Sequence, residues 1–351
     1  MTATDQAPAP PSPPRVAWWW RPPAFALGLV AIVALLYVGG SRVYLPDELQ
    51  DDRKALALME HRRVLLVGAS HGHDLNLEEA GMDGVDMAHG GQDVFEMAYI
   101  ARTVKRRAPL LDTVFVALSY FSFALDNSAY VVKGVQTRIG RRIRLYSGFA
   151  RPAFYRGDAP QFLKAQLWPI VTGDHYKKAL RGLPRRFSSG ATEVDEDTDS
   201  EEADEPVAKV KKPWKRKPPS WYVSHAHSRC RQYSHLMRVM HQNHPDVGED
   251  SKALMLGLAR ELEAASIKVV FFTPPYLKPY SACFESRYQR LTRDTGRYLE
   301  RVTHARYFDL SQAPDLIERL DLFTDSDHLN VHGKAEFSHR LAELLKKRPT
   351  R

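Results

Sequence analysis

The sequence lacks most features that mark a metal, redox or nucleic-acid protein. It holds two cysteines, Cys230 and Cys283, too far apart for metal-ligand spacing, which excludes a zinc finger or a cysteine cluster. Whether they pair is left open by the sequence; an oxidising compartment would allow it. No zinc-finger, RNA-binding or helix-turn-helix pattern is present, so nucleic acid is not an expected partner. No internal repeat is present either. Long apolar runs are equally scarce. The one uncharged stretch of note is AFALGLVAIVALLYVGG, Ala24 to Gly40. At about 17 residues it is short for a membrane-spanning helix, but Trp18, Trp19, Trp20 and Tyr37 stand where interfacial rings would extend it. A cleaved signal peptide is the rival reading, and the lack of an A-x-A-like site after the stretch favours an uncleaved anchor. Arg15 and Arg21 precede it, and Arg42 is followed by Asp47, Glu48, Asp51 and Asp52. That asymmetry directs the Pro-rich leader, residues 1–23, to the cytoplasm and the remaining chain outside it.

What is present is a chain able to build a core, with 44% hydrophobic residues and a formal charge of +8. The basic balance suits an anionic partner such as an acidic polymer or anionic lipid. From Arg62 onward, short β-branched runs alternate with longer amphipathic segments. Strands are predicted at Val64 to Val67, Val85 to Ala88, Thr113 to Leu118, Lys268 to Thr273 and Arg306 to Leu310. Helices are predicted at Val94 to Arg107, Lys252 to Ala265, Glu285 to Val302 and Lys334 to Lys347. This alternation predicts an α/β domain with a mainly parallel sheet and helices on both faces, in two parts, residues 60–121 and 246–348. The intervening residues 122–245 read as an insertion or lid. Within them an acidic tract, Glu193 to Glu205, meets a basic one from Lys209, and opposed charge blocks with almost no apolar residues predict a disordered loop over 190–220.

Three short pieces carry chemistry. In VLLVGASHGHDLN, Gly68 permits a tight turn after the strand and places Ser70 at its carboxyl end, where an activated hydroxyl would be a nucleophile. By itself such a serine is equally a turn or capping residue. In FTDSDHLNVHGKAEFSHRL, Asp325 precedes His328 by three residues, so one turn brings a carboxylate to an imidazole and orients the ring. Asp327, His332 and His339 read as solvated or helix-surface groups. The third piece is Ala88-His89-Gly90-Gly91-Gln92-Asp93. Here Gly90 and Gly91 allow close backbone approach to a substrate, and Asp93 is placed to cap the following helix. His71 is not the expected base, since neighbours at a strand-to-helix turn point apart.

Serine, glycine and Asp-x-x-His in that order, each at a strand end, resemble the SGNH or GDSL-like hydrolase superfamily. The resemblance covers Val64 to Met97 and Asp321 to Leu345, with VVFFTPPY at Val269 to Tyr276 similar to a core strand of that family. It implies a three-layer α/β/α, flavodoxin-like fold. It also implies Ser70 as nucleophile, His328 as base, Asp325 as its orienting acid, and the Ser70 amide with Gly91 or Gly90 as oxyanion donors, with no metal and no cofactor. Two departures stand out. The first block reads G-A-S-H rather than G-D-S, and the third strand end, VFVALSYFSF, has no oxyanion asparagine, leaving Ser119 or Tyr120 as substitutes. Membrane-anchored members with such first blocks are similar to alginate O-acetylation proteins and to the D-alanyl transfer protein of teichoic-acid pathways. The resemblance thus implies an acyltransferase or esterase at the cell membrane, its domain outside the cytoplasm. It would work on an envelope polysaccharide or acyl donor beside a membrane-bound O-acyltransferase. A non-catalytic binding or assembly protein of the same fold is the alternative, and a lipid esterase ranks below both.

Overall fold

A computed structural model describes residues 25–32, 54–126, 217–243 and 245–347. The chain divides into two units, residues 1–45 with 167–189, and residues 46–166 with 190–351. The first is described only over 25–32, a helix whose Phe25, Leu27, Leu29, Val30 and Ile32 are exposed. Among the described residues no helix is long and apolar enough to cross a membrane. The leader and the rest of the expected anchor lie outside those residues, as does the charged loop of 190–220 up to residue 216.

The second unit is built on β1 (Val64–Gly68), β2 (Gly84–Asp86), β3 (Thr113–Ala117), β4 (Lys268–Thr273) and β5 (Arg306–Asp309). They form one sheet, parallel throughout, in the order β2-β1-β3-β4-β5. Side chains alternate across it with period two. Leu65 and Val67 of β1 face the core shared with α1 (Val94–Arg107) and α3 (Val247–Glu263). Val64 and Leu66 face the other core, which holds Phe337 and Leu341 of α7 (Val331–Lys346). Helices therefore cover both faces, as all-parallel sheets require. Three further helices, α4 (Lys278–Cys283), α5 (Ser286–Val302) and α6 (Pro314–Ile317), complete the region around β4 and β5. The chain runs from β1 outward to β2 and then back across to β3. The direction of winding thus reverses at β1, and the carboxyl ends of β1 and β3 are where such sheets bind ligands.

Element ends moved where capping outweighs periodicity. Helix α3 begins at Val247 rather than Lys252, with Glu249 and Asp250 in its first turn facing the positive helix end. Helix α7 begins at Val331 because Asn330 Oδ1 accepts from the amides of His332 and Gly333 at 2.9 and 3.0 Å. The largest element not predicted from the sequence lies within the residues read as an insertion. Residues Pro219–Asn243 form a 25-residue helix, α2. Tyr222, Ala226, Cys230, Met237 and Met240 are buried along it, a helical spacing masked in the sequence by the preceding Pro218-Pro219 and its basic lead. Cys230 of α2 forms a disulfide with Cys283 of α4.

Candidate active site

Ser70 opens a short 3-10 helix, Ser70–Asp74, directly after β1. The turn is close-packed: a Cβ on Gly68 would lie 2.6 Å from Ala117 Cβ on β3. That approach leaves room for glycine alone. Gln92 closes the turn from the β2–α1 connection, its Oε1 accepting from Gly68 N at 2.7 Å and its Nε2 donating to Met87 O at 3.0 Å. The Asp325–His328 turn comes from the other end of the chain. It is held by an antiparallel bridge between Phe323 and Leu329 and by Asp74 Oδ1, which accepts from Leu329 N at 3.0 Å.

These two turns bring the three residues together. His328 Nε2 lies 2.9 Å from Ser70 Oγ, and His328 Nδ1 lies 3.0 Å from Asp325 Oδ2. Asp325 Oδ1 also accepts from the amides of Asp327 and His328 at 2.9 and 2.8 Å, an Asx-type turn that fixes the carboxylate under the ring. Burial works against charge on His328. The hydrogen bond that its Nδ1–H donates to Asp325 and the charges of Asp327, Asp74 and Asp325 outweigh it and raise the imidazole to about 9. Burial pushes the Asp74 carboxyl up to about 7, countered in part by His328 and Lys334. Its Oδ2 is buried without a hydrogen-bond partner.

Beneath this row lies a second, fully buried one that the sequence did not reveal. His71 Nδ1 is 2.8 Å from Ser119 Oγ, and His71 Nε2 is 3.2 Å from Asp327 Oδ2. The two imidazoles are stacked, with centroids 4.7 Å apart. Burial drives the His71 imidazole below its ordinary value, while the His71 hydrogen bond and the nearby positive groups hold Asp327 well below the usual carboxylate range despite its own burial. With Asp327 ionised, Nε2–H donates to it and Nδ1 accepts the Ser119 hydroxyl. Asp327 is thus a buried anion, not the solvated group expected from the sequence. Its charge also meets Arg229 Nη2 at 3.4 Å.

A cavity of about 380 Å³ opens beside Ser70 and His328, lined also by Gly90, Gly91, Arg229 and Tyr233. Gly91 has φ +73°, the left-handed region that favours glycine, and a Cβ on Gly90 would meet open space. Asp93 caps α1, accepting from Glu96 N at 2.9 Å. Ser119 does not line this cavity. Its hydroxyl is turned to His71 and its amide donates to Ser122 Oγ at 2.8 Å. Tyr120 is buried, its hydroxyl within hydrogen-bond reach of Ser281 and Gln312. Neither of the suggested stand-ins for the missing asparagine therefore faces the cavity.

Two sets of ligand-type side chains cluster here, His71 with Asp327 and His328, and His225 with Asp325 and Asp327. Both ring nitrogens of His71 and His328 and Nδ1 of His225 are already engaged with Ser70, Ser119, Ser326 or a carboxylate, so we assign neither set to a metal. Asp74, Gln92 and Arg229 escaped the sequence reading because their roles depend on contacts made across the fold. No protein-family model matches the chain, and no curated protein matches it in sequence. What the fold and the site establish is an α/β protein with a five-strand parallel sheet and Ser-His-Asp contacts at the carboxyl ends of β1 and β3.

Proposed function

We propose that the chain is an SGNH-like, flavodoxin-like serine enzyme that transfers or hydrolyses an O-acyl group, acetyl in the simplest case, on an envelope polysaccharide. The observation that carries the reading is the alignment of Ser70 Oγ, His328 and Asp325 at 2.9 and 3.0 Å, on the wall of a cavity. In the neutral form of His328, Nε2 takes the Ser70 proton as Oγ attacks the ester carbonyl. The ring then returns that proton to the leaving alkoxide. An acyl-Ser70 ester remains, and a sugar hydroxyl or water, deprotonated by the same nitrogen, resolves it. The Ser70 amide and the Gly90-Gly91 backbone are the assigned oxyanion donors. The disulfide of Cys230 with Cys283 supports an oxidising compartment. That fits a membrane-anchored protein with its enzymatic unit outside the cytoplasm, next to a membrane-bound O-acyltransferase.

The test is incubation of the purified chain with an activated acetyl ester and mass spectrometry of the peptide containing Ser70. Acetyl on Ser70, absent from Ser70→Ala, is the expected result; equal turnover by both proteins would sink the reading. A second reading, a binding or assembly protein of the same fold, is favoured by one observation: neither Ser119, committed to His71, nor Tyr120 faces the cavity in place of the missing asparagine. It predicts that Ser70→Ala retains full function in cells.

A further inference from the structure

We infer that Arg229 forms an anion-binding subsite beside Ser70, so that the substrate carries a carboxylate or phosphate next to its acyl ester. The inference rests on the serine-enzyme reading above and names its substrate class. Arg229 lies on α2, where His225, Arg229, Gln232 and Leu236 recur every three or four residues and share one face. That face is turned to the site. His225 Nδ1 lies 2.9 Å from Ser326 Oγ, and Arg229, Gln232 and Leu236 line the cavity that holds Ser70 and His328. Among the described residues no other arginine or lysine lines that cavity.

The guanidinium is held in place yet little used. Among the described residues one of its N–H donors is engaged, Nη2 with Asp327 at 3.4 Å, a long contact to a carboxylate already within reach of His71 Nε2 and Ser326 Oγ. Nε is buried with no hydrogen-bond partner, whereas buried donors are normally paired. The guanidinium lies over the Tyr233 ring, 5.4 Å from its centroid, and the next residue, Cys230, is tethered by the disulfide. The nearby acids have partners of their own: Asp93 caps α1, and Asp325 faces His328. A planar, permanently charged fork held rigidly with spare donors matches the paired oxygens of a carboxylate or phosphate. The formal charge of +8 favours the approach of such a substrate.

Binding is measured by ligand-observed NMR on the full chain and on Ser70→Ala, with glucuronate, glycerol phosphate and glucose as probes. The ratio of kcat/KM for 4-acetoxybenzoate to that for 4-acetoxybenzamide is measured in parallel. Both proteins are expected to bind at least one anion about tenfold or more tighter than glucose, and the tighter anion separates carboxylate from phosphate. Arg229→Gln should abolish that preference and lower the ratio of anionic to neutral ester turnover by about tenfold, while Arg229→Lys keeps part of both. Equal binding of all three probes by the unsubstituted chain overturns the inference, whatever the folding of the variants. So does an equal loss on both esters in Arg229→Gln and Arg229→Lys. An intact anion preference with no turnover of either ester would refute the serine-enzyme reading alone.

Discussion

Asparagine at position 325 would separate the charge of the acid from its place in the turn. Its carboxamide oxygen retains an acceptor for the amides of Asp327 and His328, which now donate to Asp325 Oδ1 at 2.9 and 2.8 Å, so the loop should keep its shape. What is lost is the negative charge 3.0 Å from His328 Nδ1. Burial opposes charge on that ring, and the Asp325 hydrogen bond with three carboxylate charges still lifts it from 6.5 to about 9. A displacement of that size corresponds to roughly 3 kcal/mol in favour of the imidazolium. Because the folded value is raised, this stabilisation is complete below pH 6.5 and is lost as pH rises through about 9. The Asp325 bond is the largest raising contribution, so Asp325→Asn should move the His328 titration at least about one pH unit back toward 6.5. Nitrogen-detected NMR of the imidazole from about pH 5 to about pH 11 reads this without requiring turnover. In an ester assay the unsubstituted chain should gain activity until His328 is neutral, above about pH 9. The variant should reach its plateau at lower pH, with a rate reduced by roughly 10² to 10⁴. Titration of His328 at the same pH in both proteins would refute the reasoning.

Two other substitutions probe the buried acids. Asp74 has its carboxyl raised by burial to about 7, so its stabilising contribution is present below 3.8 and lost as pH rises through about 7. Asp74→Asn should therefore flatten the fall in thermal midpoint between about pH 4 and about pH 8, a slope worth roughly 4 kcal/mol. An unchanged slope would exclude Asp74 as its source. His71→Phe leaves Asp327 buried without its imidazole partner and should destabilise the fold by about 3 to 5 kcal/mol in denaturant melts. Ser119→Ala removes only a neutral hydrogen bond from the same row and should cost about 1 kcal/mol.

Much of the frame could be read from the chain because its signals are local. β4 is a β-branched and aromatic run bounded by Pro274-Pro275, and its predicted limits coincide with those observed. Helix α1 likewise matches, since Asp93 caps it and three basic residues end it. Helix α2 was missed because its apolar stripe packs on α4 and the carboxyl ends of the strands, with Tyr276 and Tyr280 in the same cluster. Only that surface distinguishes its polar face from a solvated one. Arg229 and Gln232 were hidden for the same reason. The lower row escaped notice because Ser119, His71 and Asp327 come from three distant segments, and none has a neighbour in sequence that hints at the others.

The two acids of the Asp325–His328 turn show how such a site divides its labour. Asp325 bends back onto the amides of residues 327 and 328, and that local geometry delivers its carboxylate to the ring of His328. Its spacing, together with its place between the last strand and the last helix, was enough to select it. Asp327 is next to His328 in sequence, yet its carboxylate stands 4.0 Å from His328 Nδ1 and 3.2 Å from His71 Nε2. It therefore serves the inner ring. Two stacked imidazoles 4.7 Å apart repel when both are charged. Burial keeps His71 neutral beneath an ionised Asp327, so the titrating proton is confined to the outer row. Of the two rings, only that of His328 lies both against Ser70 and on the cavity wall. On the proposed serine-enzyme reading, its proton is the one that moves between the serine and the substrate.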